Sequence, residues 1–179
     1  MIDFLIPVSK SVLAHREILP EGVLGKHIAV HSNKGELPDL TNVKFALIGV
    51  KENRNDVDYI GEGLCFDAIR KTFYSLYPGN WTHNIIDLGD IDKGETVQDT
   101  YFALKSVISD LLKEKIIPLI MGGSQDLVYA QYRSYDSLGN MVNVVNVDSN
   151  FDIGDAENTI TNKSFIGKVI VDKPYSLFN

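Results

Sequence analysis

The sequence predicts a three-layer α/β/α fold on a mostly parallel sheet. Three observations carry this reading. Phe45-Ala46-Leu47-Ile48-Gly49-Val50 is an unbroken apolar run, later apolar runs alternate with amphipathic stretches, and glycines and carboxylates stand just after the runs. A continuous apolar run between polar residues is what a strand covered on both faces requires. Strands alternating with helices form a parallel sheet with right-handed crossovers. At 179 residues, with 44% of them hydrophobic, the chain has the length and apolar content for one core rather than two.

Residues 1–42 are the least regular and read as an N-terminal extension, since Pro7, Pro20 and Pro38 with Gly22, Gly25 and Gly35 interrupt short apolar pieces. Residues 43–179 read as the α/β domain proper. The first core strand starts at Val43. After a polar loop, Phe66, Ile69, Phe73 and Leu76 recur at helical spacing, and Pro78-Gly79 ends that helix. Asn84-Ile85-Ile86-Asp87-Leu88 is the next strand. A long helix is expected over residues 95–115, with Val97, Tyr101, Leu104, Ile108 and Leu111 on one stripe and Lys113 and Lys115 in its last turn, where they suit the helix dipole. Ile116-Ile117-Pro118-Leu119-Ile120 follows as a strand, then the turn Gly122-Gly123-Ser124, a short helix over 126–137 and a further strand over 142–147. Residues 167–171 are a candidate fifth strand. The apolar end Tyr175-Ser176-Leu177-Phe178-Asn179 has no polar tail and reads as cut.

Charge and cysteine usage narrow the function classes. A formal charge of −7 offers no basic excess to neutralise phosphates, so neither nucleic acid nor an anionic membrane is an expected partner. The opening twelve residues lack the charged start and long apolar core of a secretory leader. The single cysteine, Cys65, suits a reducing compartment, and a cytoplasmic location is expected. Cys65 reads as helical, with no histidine beside it to make it a nucleophile.

In an open parallel sheet, ligands bind beyond the carboxyl ends of the strands. The residues there are Asp87 and Asp90, then Gly122-Gly123-Ser124-Gln125-Asp126, then Asp148-Ser149-Asn150-Phe151-Asp152. Asp148, Asn150 and Asp152 could converge three oxygens on a hard cation, or simply cap a turn. The Gly-Gly-Ser turn lacks the lysine and full glycine pattern of a phosphate-binding loop. Ser124 has no neighbouring base, and no catalytic role falls to His15, His27, His31 or His83.

These stretches resemble the ureohydrolase family of arginases, agmatinases and formimidoylglutamases. Met121-Gly122-Gly123-Ser124-Gln125-Asp126 is similar to the family's Gly-Gly-Asp-His-Ser stretch, and Val147-Asp148-Ser149-Asn150-Phe151-Asp152 to its Asp-Ala-His-x-Asp stretch. Two weaker echoes are Gly63 to Arg70, similar to the family's Gly-x-x-x-x-x-x-Arg, and Asp87-Leu88-Gly89-Asp90, similar to its Asp-x-Gly-Asp. The resemblance implies an arginase-like fold, incomplete in this length, and an ancestry in hydrolysing C–N bonds of guanidino or formimino substrates with manganese.

The departures are chemical. Gln125 and Asn150 stand where the family's motif histidines bind manganese, Asp148 and Asp152 remain as residual metal ligands, and no later Asp-x-Asp pair follows. A dinuclear hydrolase needs metals roughly 3.5–4 Å apart to hold its attacking hydroxide. Two carboxylates cannot hold such a pair, and a neutral amide oxygen suits at best weak Mg²⁺ or Ca²⁺. The resemblance therefore implies a chain that is inactive as given, with no catalytic residues and no cofactor beyond such a weak ion. The alternatives are a noncatalytic binding or assembly module, and a fragment of a longer metal-dependent hydrolase. A homo-oligomer or a missing C-terminal segment is the expected partner.

Overall fold

A computed structural model describes residues 1–59, 61, 64–81, 84–139, 142–155 and 157–172. Its elements are α1 (Lys10–Ile18), α2 (Leu24–His27), β1 (Ala29–Val30), β2 (Val43–Val50), α3 (Asp67–Tyr74), β3 (Asn84–Ile91), α4 (Val97–Lys113), β4 (Ile117–Met121), α5 (Leu127–Asp136) and α6 (Phe165–Asp172). The strands form a parallel sheet in the order β1-β3-β2-β4. Gly63, His83 and the 175–179 terminus lie outside the described residues.

Strand alternation explains the layers. Ala46, Ile48 and Val50 of β2 and Ile86 and Leu88 of β3 join one core with Leu104, Val107, Ile108 and Leu111 of α4, and with α5 and α6. Phe45 and Ile85 point the other way, into a second cluster with Val12 of α1, Leu24 of α2 and Phe73 and Tyr74 of α3. From β2 the chain steps to one side through α3 and then, from β3, to the other through α4, which puts the two helices on opposite faces. The loops after β2 and β4 consequently meet beyond the centre of the sheet.

Local chemistry sets the helix limits. Thr96 and Asp99 form a reciprocal capping box, with Asp99 N–H donating to Thr96 Oγ1 at 3.2 Å and Thr96 N–H donating to Asp99 Oδ2 at 2.7 Å. Lys115, at φ 59, lies past the end of α4. Cys65 is exposed just ahead of α3 rather than on it. Residues 1–42 contribute α1, α2 and edge strand β1, and Ile6 bridges Asp90 antiparallel, so this stretch covers the β3 side of the sheet.

Two expected strands are absent. Residues 142–147 run irregularly beyond α5, with Val145 88% and Val147 96% exposed. Their composition suits a strand, but among the described residues no strand lies beside them to complete a ladder. Residues 167–171 belong to α6, in which Phe165, on the core shared with α4 and α5, and Val169, one helical turn on, are both buried. A short apolar run carries no period that separates strand from helix.

No described helix is long and apolar enough to cross a membrane.

Candidate functional site

At the carboxyl end of the sheet the two glycine-rich and acidic stretches meet. Ser124 N–H donates to the Glu52 carbonyl at 2.8 Å, tying the turn after β4 to the loop after β2. A Cβ at Gly123 would lie 1.9 Å from that same carbonyl oxygen. This glycine therefore permits close backbone packing, which accounts for it without a phosphate ligand.

Gln125 leaves the turn and donates its amide Nε2 to Asp148 Oδ2. The other Asp148 oxygen accepts the N–H of Ser149 at 2.6 Å and of Asn150 at 3.3 Å. Burial works against the charge of Asp148, but the Asn150 N–H and the Gln125 amide hold its carboxyl below the ordinary range. The Asn150 side chain turns away to donate to Ser149 Oγ at 3.1 Å. Asp152 is 5% exposed, at φ 46, and neither of its carboxylate oxygens meets a donor. Burial, and then the charge of Asp148, push its carboxyl up. The structure thus joins Gln125 and the Asn150 N–H to Asp148, places Asp152 within the field of Asp148, and leaves the Asn150 side chain outside.

This donor set does not fit a pair of manganese ions. Gln125 presents N–H to Asp148 where a ligand must present a lone pair, and Asp148 is already engaged by Gln125, Ser149 and Asn150. Among the described residues no three His, Cys, Asp or Glu side chains group closely enough to hold a metal ion.

The weaker motif echoes resolve into one structural clamp. Arg70 of α3 donates to Asp87 through Nε at 2.8 Å and Nη2 at 3.2 Å, to Asp90 through Nη1 at 2.7 Å, and to the Gly89 carbonyl at 2.8 Å. Tyr74 O–H adds a donor to Asp87 at 2.9 Å. Burial would lower the Arg70 pKa, but Asp87 and then Asp90 hold the guanidinium above its ordinary value. Asp87 and Asp90 are thereby committed to holding α3 on β3.

Sequence reasoning missed Glu52 and the burial of two further groups, Asp126, which it placed only at a strand end, and His31. Glu52, fully buried after β2, accepts from Arg54 Nε at 2.9 Å and from Thr100 O–H at 2.7 Å, which outweighs burial and keeps its carboxyl low. Asp126, fully buried ahead of α5, accepts from Tyr101 O–H and from Asn55 Nδ2, and burial pushes its carboxyl up. His31, to which the sequence gives no catalytic role, is fully buried, with Nδ1 against the Leu88 carbonyl at 3.0 Å. Thr100 for Glu52, Tyr101 and Asn55 for Asp126 and Leu88 for His31 all lie far along the chain, which hid these contacts, whereas Arg54 stands only two residues from Glu52.

Residues 43–171 match the Arginase family. An uncharacterised 32.2 kDa protein of Methanothermus fervidus is 25% identical over 163 residues, covering 86% of this chain and 55% of that protein. Among solved structures, formimidoylglutamase of Bacillus subtilis is similar at TM-score 0.63 and 20% identity, over 79% of this chain and 47% of that one. Agmatine ureohydrolase of Thermoplasma volcanium gives 0.63 and 17%, over 89% and 53%. Formiminoglutamase of Trypanosoma cruzi gives 0.62 and 17%, over 75% and 50%. The chain spans about half the length of these relatives.

Proposed function

The chain belongs to the arginase family, and from that membership and its altered donor set we infer that it is a non-hydrolysing member, descended from C–N hydrolases of guanidino or formimino substrates. The observation that supports this reading is the Gln125 amide on Asp148. An imidazole lone pair at that position would leave the carboxylate free to bridge a metal, whereas the amide satisfies the carboxylate itself. Asp148 and Asp152 alone suit at most one weakly held Mg²⁺ or Ca²⁺.

The test is metal content together with turnover. Protein purified with manganese present is expected to carry no stoichiometric Mn²⁺ and to hydrolyse arginine, agmatine or formimidoylglutamate no faster than buffer. About two Mn²⁺ per chain, or turnover that survives repurification, overturns the reading. Gln125→His combined with Asn150→His is expected to raise Mn²⁺ affinity without restoring hydrolysis.

A second reading, an assembly module that holds a partner on the sheet, is favoured by β4. Its Ile117 and Leu119 are exposed on the α3 side, where Phe45, Tyr77 and Trp81 continue an apolar surface. The two readings are compatible, because a chain that has lost its chemistry can keep its surface.

A further inference from the structure

Among the described residues, no hydrogen bond reaches any of the six residues 142–147. The stretch, Val-Asn-Val-Val-Asn-Val, is uncharged and rich in β-branched side chains, and Val145 and Val147 stand 88% and 96% exposed. Its backbone donors and acceptors are left to solvent, as at the edge of a sheet. The direction of the segment follows from its neighbours. α5 leads away from the carboxyl end of the sheet, Val142 to Asn146 line one groove with Val128 and Tyr135 at the two ends of α5, and Asp148 returns to Gln125. Residues 142–147 therefore run in the same direction as β4.

Two unfinished ladders consequently stand in one molecule. Among the described residues β4 pairs only with β2, and its five residues match the length of 142–147. A two-fold axis perpendicular to both segments turns a second copy's 142–147 antiparallel to β4, and the same rotation sets the first copy's segment on the second copy's β4. Charge favours that direction. Antiparallel alignment of β4 with the second copy's residues 143–147 brings its Asp148 beside Ile116 and Lys115, and Lys115 is exposed and in no ion pair among the described residues. Parallel alignment would instead gather the Asp148 carboxylates of both copies at one end of the ladder.

We propose that the partner of the β4 edge is a second copy of this chain, joined by reciprocal strand addition in which residues 142–147 of each copy complete the other's β4 in antiparallel register. The proposal rests on the reading of the chain as an assembly module, and it names both the partner and the element that the partner supplies. Main-chain hydrogen bonds carry such an addition. Pro118 offers no N–H, so β4 contributes its carbonyls and its remaining N–H groups. No charged side chain stands within either segment, which lets two copies of net charge −7 meet there.

The test is sedimentation equilibrium of the full chain at micromolar concentration. Val145→Pro removes a ladder donor at an exposed position and is expected to be monomeric, as is Leu119→Lys. Mixed in equal amounts, the two variants are expected to form a heterodimer through one ladder, because the first keeps an intact β4 and the second an intact 142–147. Lys115→Gln is expected to weaken dimerisation about fivefold, since each dimer loses two exposed ion pairs. Val147→Pro carries the same test if the Val145 variant does not fold. A Val145→Pro chain that dimerises as tightly as the unaltered chain overturns the proposal while leaving association through β4 itself, and a mixture that associates no more than either variant alone overturns the reciprocal addition. Unchanged dimerisation of Lys115→Gln overturns the antiparallel register. An unaltered chain that stays monomeric at every concentration overturns the assembly reading, and the strand addition with it.

Discussion

Arg70 shows how a charged residue becomes structural. Its guanidinium is 1% exposed and spans Asp87, Asp90 and the Gly89 carbonyl, so each of its nitrogens is engaged inside the fold. Removing one partner of a buried pair leaves the other charge unsolvated. Arg70→Met is therefore expected to destabilise the chain by about 3–5 kcal/mol in urea denaturation. A loss below 1 kcal/mol would mean that Asp87 is neutral or reached by water. Asp126 makes the opposite case, because burial raises its carboxyl pKa. The folded state then holds a proton that the unfolded state has lost. Stability is fully present below the unfolded value near 3.9 and falls as pH rises through the folded value. Asp126→Asn removes that dependence while Tyr101 and Asn55 still find an oxygen acceptor, so the variant should gain on the parent between pH 4 and pH 7. A stability difference that stays flat across that range contradicts the assignment. The residue scale was partly legible in sequence. Arg70, Asp87 and Asp90 were visible as motif positions, but their mutual contact came only with the packing of α3 on β3. Lys163 carried no signal at all, since its partner Asp58 lies on a loop more than a hundred residues earlier.

Elements were legible in proportion to their length and period. The long stripe of α4 fixed one helix face, and Val107 and Ala103 filled it as the fold closed. The capping pair Thr96 and Asp99 sits just where the apolar stripe begins, satisfying N–H groups that the first turn leaves free. Thr96→Ala is expected to cost about 1 kcal/mol, read as a lower denaturation midpoint with an unchanged slope. A neutral result would show that water replaces the cap. The strands β2 and β3 announced themselves because burial on both faces demands apolar residues without alternation, interrupted by exposed Lys44 near the start of β2 and, in β3, where Asp87 and Asp90 meet Arg70. The segments that misled are short: 142–147 has strand composition but, among the described residues, no neighbouring strand, and 167–171 has an apolar run that α6 uses as a helix face. A ladder is a property of two segments, so a single segment's composition cannot decide it.

On the scale of the whole molecule, the two edges of the sheet differ. The β3 edge is covered by β1 and by the Ile6 bridge to Asp90, while among the described residues β4 pairs only with β2. Alternation makes the consequence specific. Pro118 and Ile120 face the α4 core side, whereas Ile117 and Leu119 face the side of α1–α3, where the helices reach β2 and β3 but leave β4 uncovered. An exposed apolar strand beside Trp81 and Tyr77 is the kind of edge that other chains complete. Sedimentation at micromolar concentration is therefore expected to show association, and Leu119→Lys, which puts a charge on the open face without touching the Gln125 and Asp148 contact, is expected to shift the chain towards monomer. A parent chain that stays monomeric at every concentration shows instead that the edge is already protected, and it removes the assembly reading while leaving the altered donor set of Gln125, Asp148 and Asp152 as it stands.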